Sequence, residues 1–150
     1  MSGRFFVNMI LSLSNFERDT IVDRLKQGKI NKFNTGKRNG SRLCFGYRKD
    51  SNDNVVVDDT ESKIVKYIFK KWSDYKKMNI SKSKMTRRLL KLLKKKGYGY
   101  RDKDIRHYHL RQILSNQFYI GKMTYGELEN QHNYETIISK RLFNIVNYQS

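Results

Sequence analysis

Apolar side chains recur at helical spacing through the first thirty residues. Between Gly3 and about Lys29 they fall three or four positions apart, and this pattern predicts one long helix. Its first half is apolar nearly all round, whereas the second half is polar and basic. A helix that is apolar all round must be buried against something large, and the rest of the chain has little apolar surface to spare. We therefore expect this half to pack on a further domain or on a second copy. An ordinary core helix is the alternative.

Shorter elements follow, and together they predict a mainly α fold with a small β component. In chain order we expect a strand pair of Phe45 to Arg48 with Val55 to Val57, helices from Asp58 to Tyr75 and from Ser81 to about Lys96, a short helix between Asp104 and Leu114, a strand from Tyr119 to Tyr125 with Glu135 to Ile138 as its possible partner, and a closing helix from Ser139 to Tyr148. Asp58, Ser81 and Ser139 are the expected caps, and Gly97 is the expected end of its helix.

These elements divide into three regions. Residues 1–30 form the long helix, and residues 31–46 contain glycine, asparagine and serine among basic residues, which predicts an extended basic linker. Residues 47–150 form a compact domain with short strands. Within it, two helices are joined by the glycine turn at residues 97–100, and the second is short and basic, so the domain is helix-turn-helix-like.

Charge narrows the class of partner. The 32 Lys and Arg residues against 14 Asp and Glu residues give a formal charge of +18, and Arg24 to Lys49 holds nine basic residues and no acidic one. So strong an imbalance favours a polyanion as partner, either nucleic acid or an anionic membrane surface. The membrane is the weaker alternative, because the basic helix at Ser81 to Lys96 has no Trp or Phe on its apolar side. No stretch approaches the roughly 20 apolar residues of a span, and we expect a cytoplasmic protein.

Catalytic and metal-binding patterns are absent from the sequence. The one cysteine, Cys44, cannot form an internal disulfide or complete a structural zinc site. His107 and His109 could be ligands, but Arg106 and Arg111 beside them would repel a dication. There is no nucleophile elbow, phosphate-binding loop, zinc-protease motif or dinucleotide fingerprint. We expect no metal, no cofactor and no small-molecule substrate, and we interpret the chain as a binding module.

Phosphate-binding side chains are plentiful instead. Lys and Arg neutralise phosphates, and Arg and Gln also read base edges. An extended basic linker suits a minor groove, and a short helix after a turn suits a major groove. The candidate contacts to double-stranded DNA are Arg24, Lys29, Lys37, Arg38, Arg42 and Arg48 in and around the linker, Arg87 and Arg88 on the basic helix, and Arg106, His107, His109, Arg111 and Gln112 on the short helix.

Several motifs, in this order, resemble the large serine site-specific recombinases. They are Gly3-Arg4-Phe5-Phe6 with Leu13-Ser14-Asn15-Phe16-Glu17-Arg18, then Phe45-Gly46-Tyr47-Arg48, the helix from Asp58 to Tyr75, Ile113-Leu114-Ser115-Asn116 with Tyr119-Ile120-Gly121, and Ile137-Ile138-Ser139 with Leu142-Phe143. The first set resembles the long helix that ends the catalytic domain of that family. The others resemble its "recombinase" DNA-binding domain.

The resemblance implies a role for each region. The apolar half of the long helix would form dimer and tetramer contacts through Phe5, Phe6, Met9, Ile10, Leu13 and Phe16. Arg18 and Arg24 match positions that approach the DNA backbone, and the domain after the linker would dock in the major groove of an attachment site or transposon end. The protein would then act in integration or excision of a mobile element, in the cytoplasm of a prokaryote and associated with its nucleoid.

Departures from the family limit the expected activity. The family's nucleophilic serine lies upstream of the residue that matches Gly3, and its zinc ribbon and coiled coil lie downstream of the closing helix, so we expect a catalytically incomplete fragment. The family also has Trp and a Ser or Thr cap before the third helix, where this chain has Arg106-His107. Two alternatives remain open: a stand-alone phage or transposon DNA-binding regulator, and a basic RNA-binding protein.

Overall fold

The structure is a computed structural model that describes residues 2–40, 42–52 and 54–148. It is mainly α with short paired strands, as the sequence predicts. Its elements are α1 (Ser2–Asn34), β1 (Tyr47–Lys49), β2 (Val55–Val57), α2 (Asp59–Lys77), α3 (Lys82–Lys95), β3 (Gly99–Tyr100), β4 (Lys103–Asp104), α4 (His107–Ser115), a 3-10 turn (Gln117–Ile120), β5 (Lys122–Tyr125), β6 (Leu128–Gln131) and α5 (Lys140–Asn147). Two units are formed: residues 1–39 with 124–130, and residues 40–123 with 131–150.

The first unit contains α1, which is longer than its sequence pattern predicts. It runs on to Asn34, into the stretch expected to be linker, because Gly28 keeps helical backbone angles and does not end it. The end comes where Gly36 adopts a φ of +78°, which favours glycine. Asn130 then donates from its side-chain amide to the carbonyl oxygens of Phe33 (2.9 Å) and Asn34 (3.2 Å), which satisfies the last turn.

The apolar residues of α1 lie in solvent. Phe5 and Phe16 are 69% and 70% exposed, and Phe6, Met9, Ile10 and Leu13 are each more than half exposed. In residues 3–34 of the helix only Phe33 is buried. These exposures contradict the alternative of an ordinary core helix. Packing on another domain or copy stays a prediction.

The second unit is built around α2. Val65, Ile68 and Phe69 on one face of α2 are fully buried, and α3, α4 and α5 pack around this helix. The expected cap is confirmed, because the Asp58 carboxylate accepts from the backbone N–H groups of Thr60 (3.0 Å) and Glu61 (2.8 Å).

The ends of α3 and α5 also follow the sequence closely. Ser139 caps α5 by accepting from the Leu142 N–H at 3.3 Å. Ser81 occupies the N-cap position of α3, although its hydroxyl makes no capping hydrogen bond within the described residues. Gly97 ends α3 with a φ of +68°, and the following N–H of Tyr98 reaches back to the Leu93 carbonyl at 3.0 Å.

The strands differ more from the expected pattern. β1 and β2 pair antiparallel with Tyr47 opposite Val57, which confirms the first strand pair. The small antiparallel pairing of β3 with β4 was not predicted. The strand expected from Tyr119 to Tyr125 starts only at Lys122, because the Asn116 side chain accepts from the Phe118 N–H and opens a 3-10 turn.

The expected strand at Glu135 to Ile138 is wrong. The partner of β5 is β6, reached through a short turn in which Gly126 has a φ of +61°. Ile137 and Ile138 are irregular and buried instead, and the Ile138 N–H donates to the Tyr119 carbonyl at 3.1 Å. Their apolar pattern therefore reports burial rather than strand pairing.

Candidate nucleic-acid interface

The exposed face of α4 carries a stripe of polar and aromatic side chains. The buried face consists of His109, Leu110, Ile113 and Leu114, and it fixes the helix on the core. The opposite face presents His107, Tyr108, Arg111, Gln112 and Ser115, all exposed. Helical geometry places residues four apart on the same side, so these five form one continuous strip. A nine-residue helix with such a strip can offer donors, acceptors and a positive charge to one partner surface.

The start of α4 depends on His109. The backbone N–H of Arg106, at the N-cap, donates to Nδ1 of the His109 ring at 3.0 Å. The ring lies flat against Tyr100, with centroids 4.1 Å apart and planes within 7°. Burial, together with the charges of Arg106 and Lys103, holds the pKa of His109 below its ordinary value, which favours the neutral ring that accepts this hydrogen bond.

This geometry changes the reading of His109. Its side chain is 5% exposed, and this burial argues against the direct DNA contact expected from the sequence. The ring positions the helix instead. His109 also explains how α4 begins without the Ser or Thr cap that the family usually has at this point. Its imidazole, three residues into the helix, accepts from the N-cap N–H, a task that Glu or Gln performs in a conventional capping box.

A cleft of about 890 Å³ lies beside α4, and its charged lining has one sign. Arg87 from α3 and His107 and Arg111 from α4 line it, together with Lys76 and Lys82. Apolar side chains including Leu90 and Leu110 form the floor, and no carboxylate is among its lining residues in the described part of the chain. The structure thus brings three of the predicted contacts, Arg87, His107 and Arg111, to this one cleft. Lys76 and Lys82 also line it and were not predicted from the sequence.

The other predicted residues of this unit lie around the same two helices. Arg106 lines a neighbouring cleft of about 410 Å³ with Lys91 and Lys94. Gln112 lines a third, of about 360 Å³, beside Cys44 and Phe45. Arg88 is exposed on α3 but is not among the residues that line the 890 Å³ cleft. Tyr108, 53% exposed, was missed; its position four residues before Gln112 was the available signal.

The remaining predicted contacts lie on α1 and around the stretch between α1 and β1, residues 35–46, which we call the basic segment. Arg18, Arg24 and Lys29 are exposed on α1, and Lys37 is exposed just after it, whereas Arg38 is half-buried. In the second unit Arg42 is exposed, and exposed Arg48 lies 3.9 Å from the Asp58 carboxylate. At that distance and exposure the ion pair contributes little, so Arg48 remains free to exchange partners.

The described residues contain neither a metal-binding cluster nor a helix suited to cross a membrane. No group of three or more His, Cys, Asp or Glu side chains is placed to hold a metal ion in the part of the chain that the structure describes. Across those same residues, no helix is both long and apolar enough to cross a membrane.

The fold and the exposed α4 define a helix-turn-helix-like domain. A comparison with protein-family models identifies the family to which this domain belongs. A family model described as Recombinase matches residues 59–149, which is more than half of the chain. The protein belongs to the Recombinase family. This match confirms the resemblance of residues 59–149 to the family's recombinase domain. A search of curated proteins gave no match.

Solved structures share the fold. One is an LSR–DNA complex, LSR being a large serine recombinase, with 23% identity and a TM-score of 0.63 over 82% of this chain and 37% of that one. Another comes from work on the sequence requirements of the Listeria innocua prophage attP site, with 22% identity and a TM-score of 0.60 over 82% of this chain and 49% of that one. The chain therefore spans less than half the length of either.

Proposed function

We propose that the chain is the DNA-binding part of a serine site-specific recombinase. It recognises attachment-site or transposon-end duplex DNA during integration or excision. The observation that carries the proposal is the exposed strip of α4 beside the 890 Å³ cleft, whose ionisable lining residues are Lys, Arg and His. A phosphate backbone is the partner that such a rim fits, and base edges are the partner that the strip fits.

In this proposal α4 enters the major groove. Arg111 is suited to a bidentate contact with guanine, and Gln112 to one with adenine. Arg87, Lys82 and Arg88 on α3 lie along the flanking phosphates and fix the orientation of the domain, as phosphate contacts do in general. His107 and Tyr108 complete the strip at the start of α4.

The long helix and the basic segment supply the second part of the proposal. Arg18, Arg24 and Lys29 contact phosphates, and the segment with Lys37, Arg38 and Arg42 follows the minor groove. The exposed apolar half of α1, with Phe5 and Phe16 about 70% exposed, associates with a second copy or with another domain. The proposed place of action is the prokaryotic nucleoid.

Selection from a random duplex library at about 150 mM salt tests the proposal, because charge alone does not enrich a motif when screening is strong. We expect an asymmetric motif of half-site length. A symmetric motif bound by a stable dimer in sedimentation would instead favour a stand-alone regulator. Structured RNA that outcompetes every duplex would favour an RNA-binding protein, and either result would overturn the proposal.

Two substitutions separate base reading from phosphate binding. We expect Arg111→Ala to lose about tenfold or more of the discrimination between the selected and a scrambled duplex, since a good bidentate contact is worth about 1–3 kcal/mol. Lys37→Ala removes the same charge and should weaken binding to both duplexes alike. The wild-type log–log salt slope should lie near −5 to −8, for about 5 to 9 phosphate contacts. Equal effects of the two substitutions, or a slope shallower than about −2, would contradict this assignment.

A further inference from the structure

The last residues of the basic segment, Arg42–Gly46, are held by side chains from distant parts of the second unit. The Leu43 carbonyl accepts from the Arg101 guanidinium at 2.5 Å, and the Phe45 carbonyl accepts from the Tyr119 hydroxyl at 2.7 Å. The Gly46 N–H donates to the Glu61 carboxylate at 2.7 Å. Three backbone groups in four residues are thereby fixed, so this stretch does not behave as the flexible chain that its composition indicates.

Aromatic stacking continues from this stretch to α4. The Phe45 ring is 2% exposed and stacks on Tyr100, with centroids 4.5 Å apart and planes 15° apart. Tyr100 stacks in turn on His109, at 4.1 Å and 7°. Since the His109 ring accepts the N-cap hydrogen bond of α4, three rings in contact join the end of the basic segment to the start of the exposed helix.

The β3–β4 hairpin holds these contacts together. Tyr100 is the last residue of β3, and Arg101 follows it in the turn with a φ of +47°. From there Arg101 reaches the Leu43 carbonyl on one side and approaches the Glu61 carboxylate, at 3.9 Å, on the other. Glu61 is the same residue that binds the Gly46 N–H. A two-by-two hairpin is marginal on its own, which indicates that its ordered turn is maintained by these contacts.

We propose that the β3–β4 hairpin holds the end of the basic segment at a fixed distance from α4, and we call this arrangement the spacing bracket. The contacts that form it are those of Arg101, those of Glu61 and the Phe45–Tyr100–His109 stack. This inference rests on the proposed DNA-binding function. If Arg42 and its neighbours contact one groove and Arg111 another, the bracket sets the number of base pairs between the two contacts. Arg101 and Glu61 are then positioning residues that act on spacing specificity without touching a base.

Duplexes with one or two base pairs inserted between the two contacted parts of the selected half-site test the bracket. Each added base pair displaces the second contact by about 3.4 Å and rotates it by about 35°. We expect wild-type affinity to fall at least tenfold per insertion, and Arg101→Ala to flatten this dependence to below threefold. Lys103→Ala removes one positive charge from the same hairpin and should keep the wild-type dependence. An Arg101→Ala protein with the wild-type dependence would overturn the proposal.

Hydrogen exchange without DNA provides an independent readout. The Gly46 amide should exchange at least tenfold faster in Arg101→Ala and in Glu61→Gln than in wild type or Lys103→Ala, because each change weakens the bracket. Arg101→Lys serves as the second variant if Arg101→Ala does not fold. Its Gly46 amide should exchange faster than that of wild type and more slowly than the rate expected for Arg101→Ala. Unchanged exchange in all variants would overturn the bracket. Failure of the wild-type protein to select any duplex would overturn the proposed function and leave the exchange result to decide the bracket.

Discussion

α1 and α2 are both rich in apolar side chains but use them in opposite ways. In α2 the apolar residues form one stripe with lysines on the opposite face, and Val65, Ile68 and Phe69 are fully buried. In α1 they surround the first half of the helix and remain exposed. Apolar periodicity therefore identifies a helix, whereas the width of the apolar surface indicates whether its partner lies inside or outside the folded unit.

The sharpest test of this difference removes the same side chain from each helix. Phe69→Ala should lower the free energy of unfolding by about 4 kcal/mol, because Phe69 is fully buried against Tyr119 and Phe143. Phe16→Ala should change it by less than about 0.5 kcal/mol, as at other exposed sites. Urea denaturation followed by circular dichroism gives both values. A loss above about 2 kcal/mol for Phe16→Ala would mean that α1 is part of the cooperative core.

Two glycines extend the comparison with effects of opposite sign. Gly46 has a φ of +99°, and a Cβ there would lie 2.8 Å from Ile137 Cδ1 and 3.4 Å from Val65 Cγ2. Gly46→Ala should therefore lower the free energy of unfolding by about 3 kcal/mol, through backbone strain and overpacking together.

Gly28 is the matched control, because it lies inside α1 with open space around it. Gly28→Ala should raise helix content and stabilise α1 by up to about 1 kcal/mol. Thermal melts followed at 222 nm compare the two variants. A destabilised Gly28→Ala protein would show that a partner packs closely against α1.

The smallest expected effect concerns pH and His109. Burial first, and then nearby positive charge, lowers the pKa of this imidazole in the folded protein. The unfolded chain therefore binds more protons in the range just below the ordinary pKa of about 6.5, so stability falls as pH decreases through that range. Gln at this position keeps an acceptor for the Arg106 N–H but does not titrate. His109→Gln should thus show a weaker loss of melting temperature between pH 7.5 and 5.5 than wild type, and an equal or larger loss would contradict the assignment.

The helices were predictable because their signals are local. Asp58 and Ser139 cap their helices as expected, and the stripe on α2 is the one that packs. The end of α1 was missed because Gly28, a frequent helix breaker, keeps a helical conformation. The strand expected after Asn116 was misplaced since a single side-chain hydrogen bond replaces it with a 3-10 turn.

The candidate site was predictable in composition but not in arrangement. Basic residues on α3 and α4 followed directly from the sequence. His109 is buried and stacks on Tyr100 of the β3–β4 hairpin, whereas His107 lines the 890 Å³ cleft. The hydrogen bond between the Arg101 guanidinium and the Leu43 carbonyl joins residues 58 positions apart, and no local sequence pattern predicts it.

The exposure of α1 has a consequence for how the sequence can change over time. Between Gly3 and Lys32 no side chain is buried among the described residues, so most substitutions that preserve helix formation leave folding intact. Selection on this stretch then acts through whatever the helix meets, independently of the second unit. The two units are free to evolve at different rates, and in a set of natural variants the apolar character of positions 5–16 would record the history of the partner rather than that of the fold.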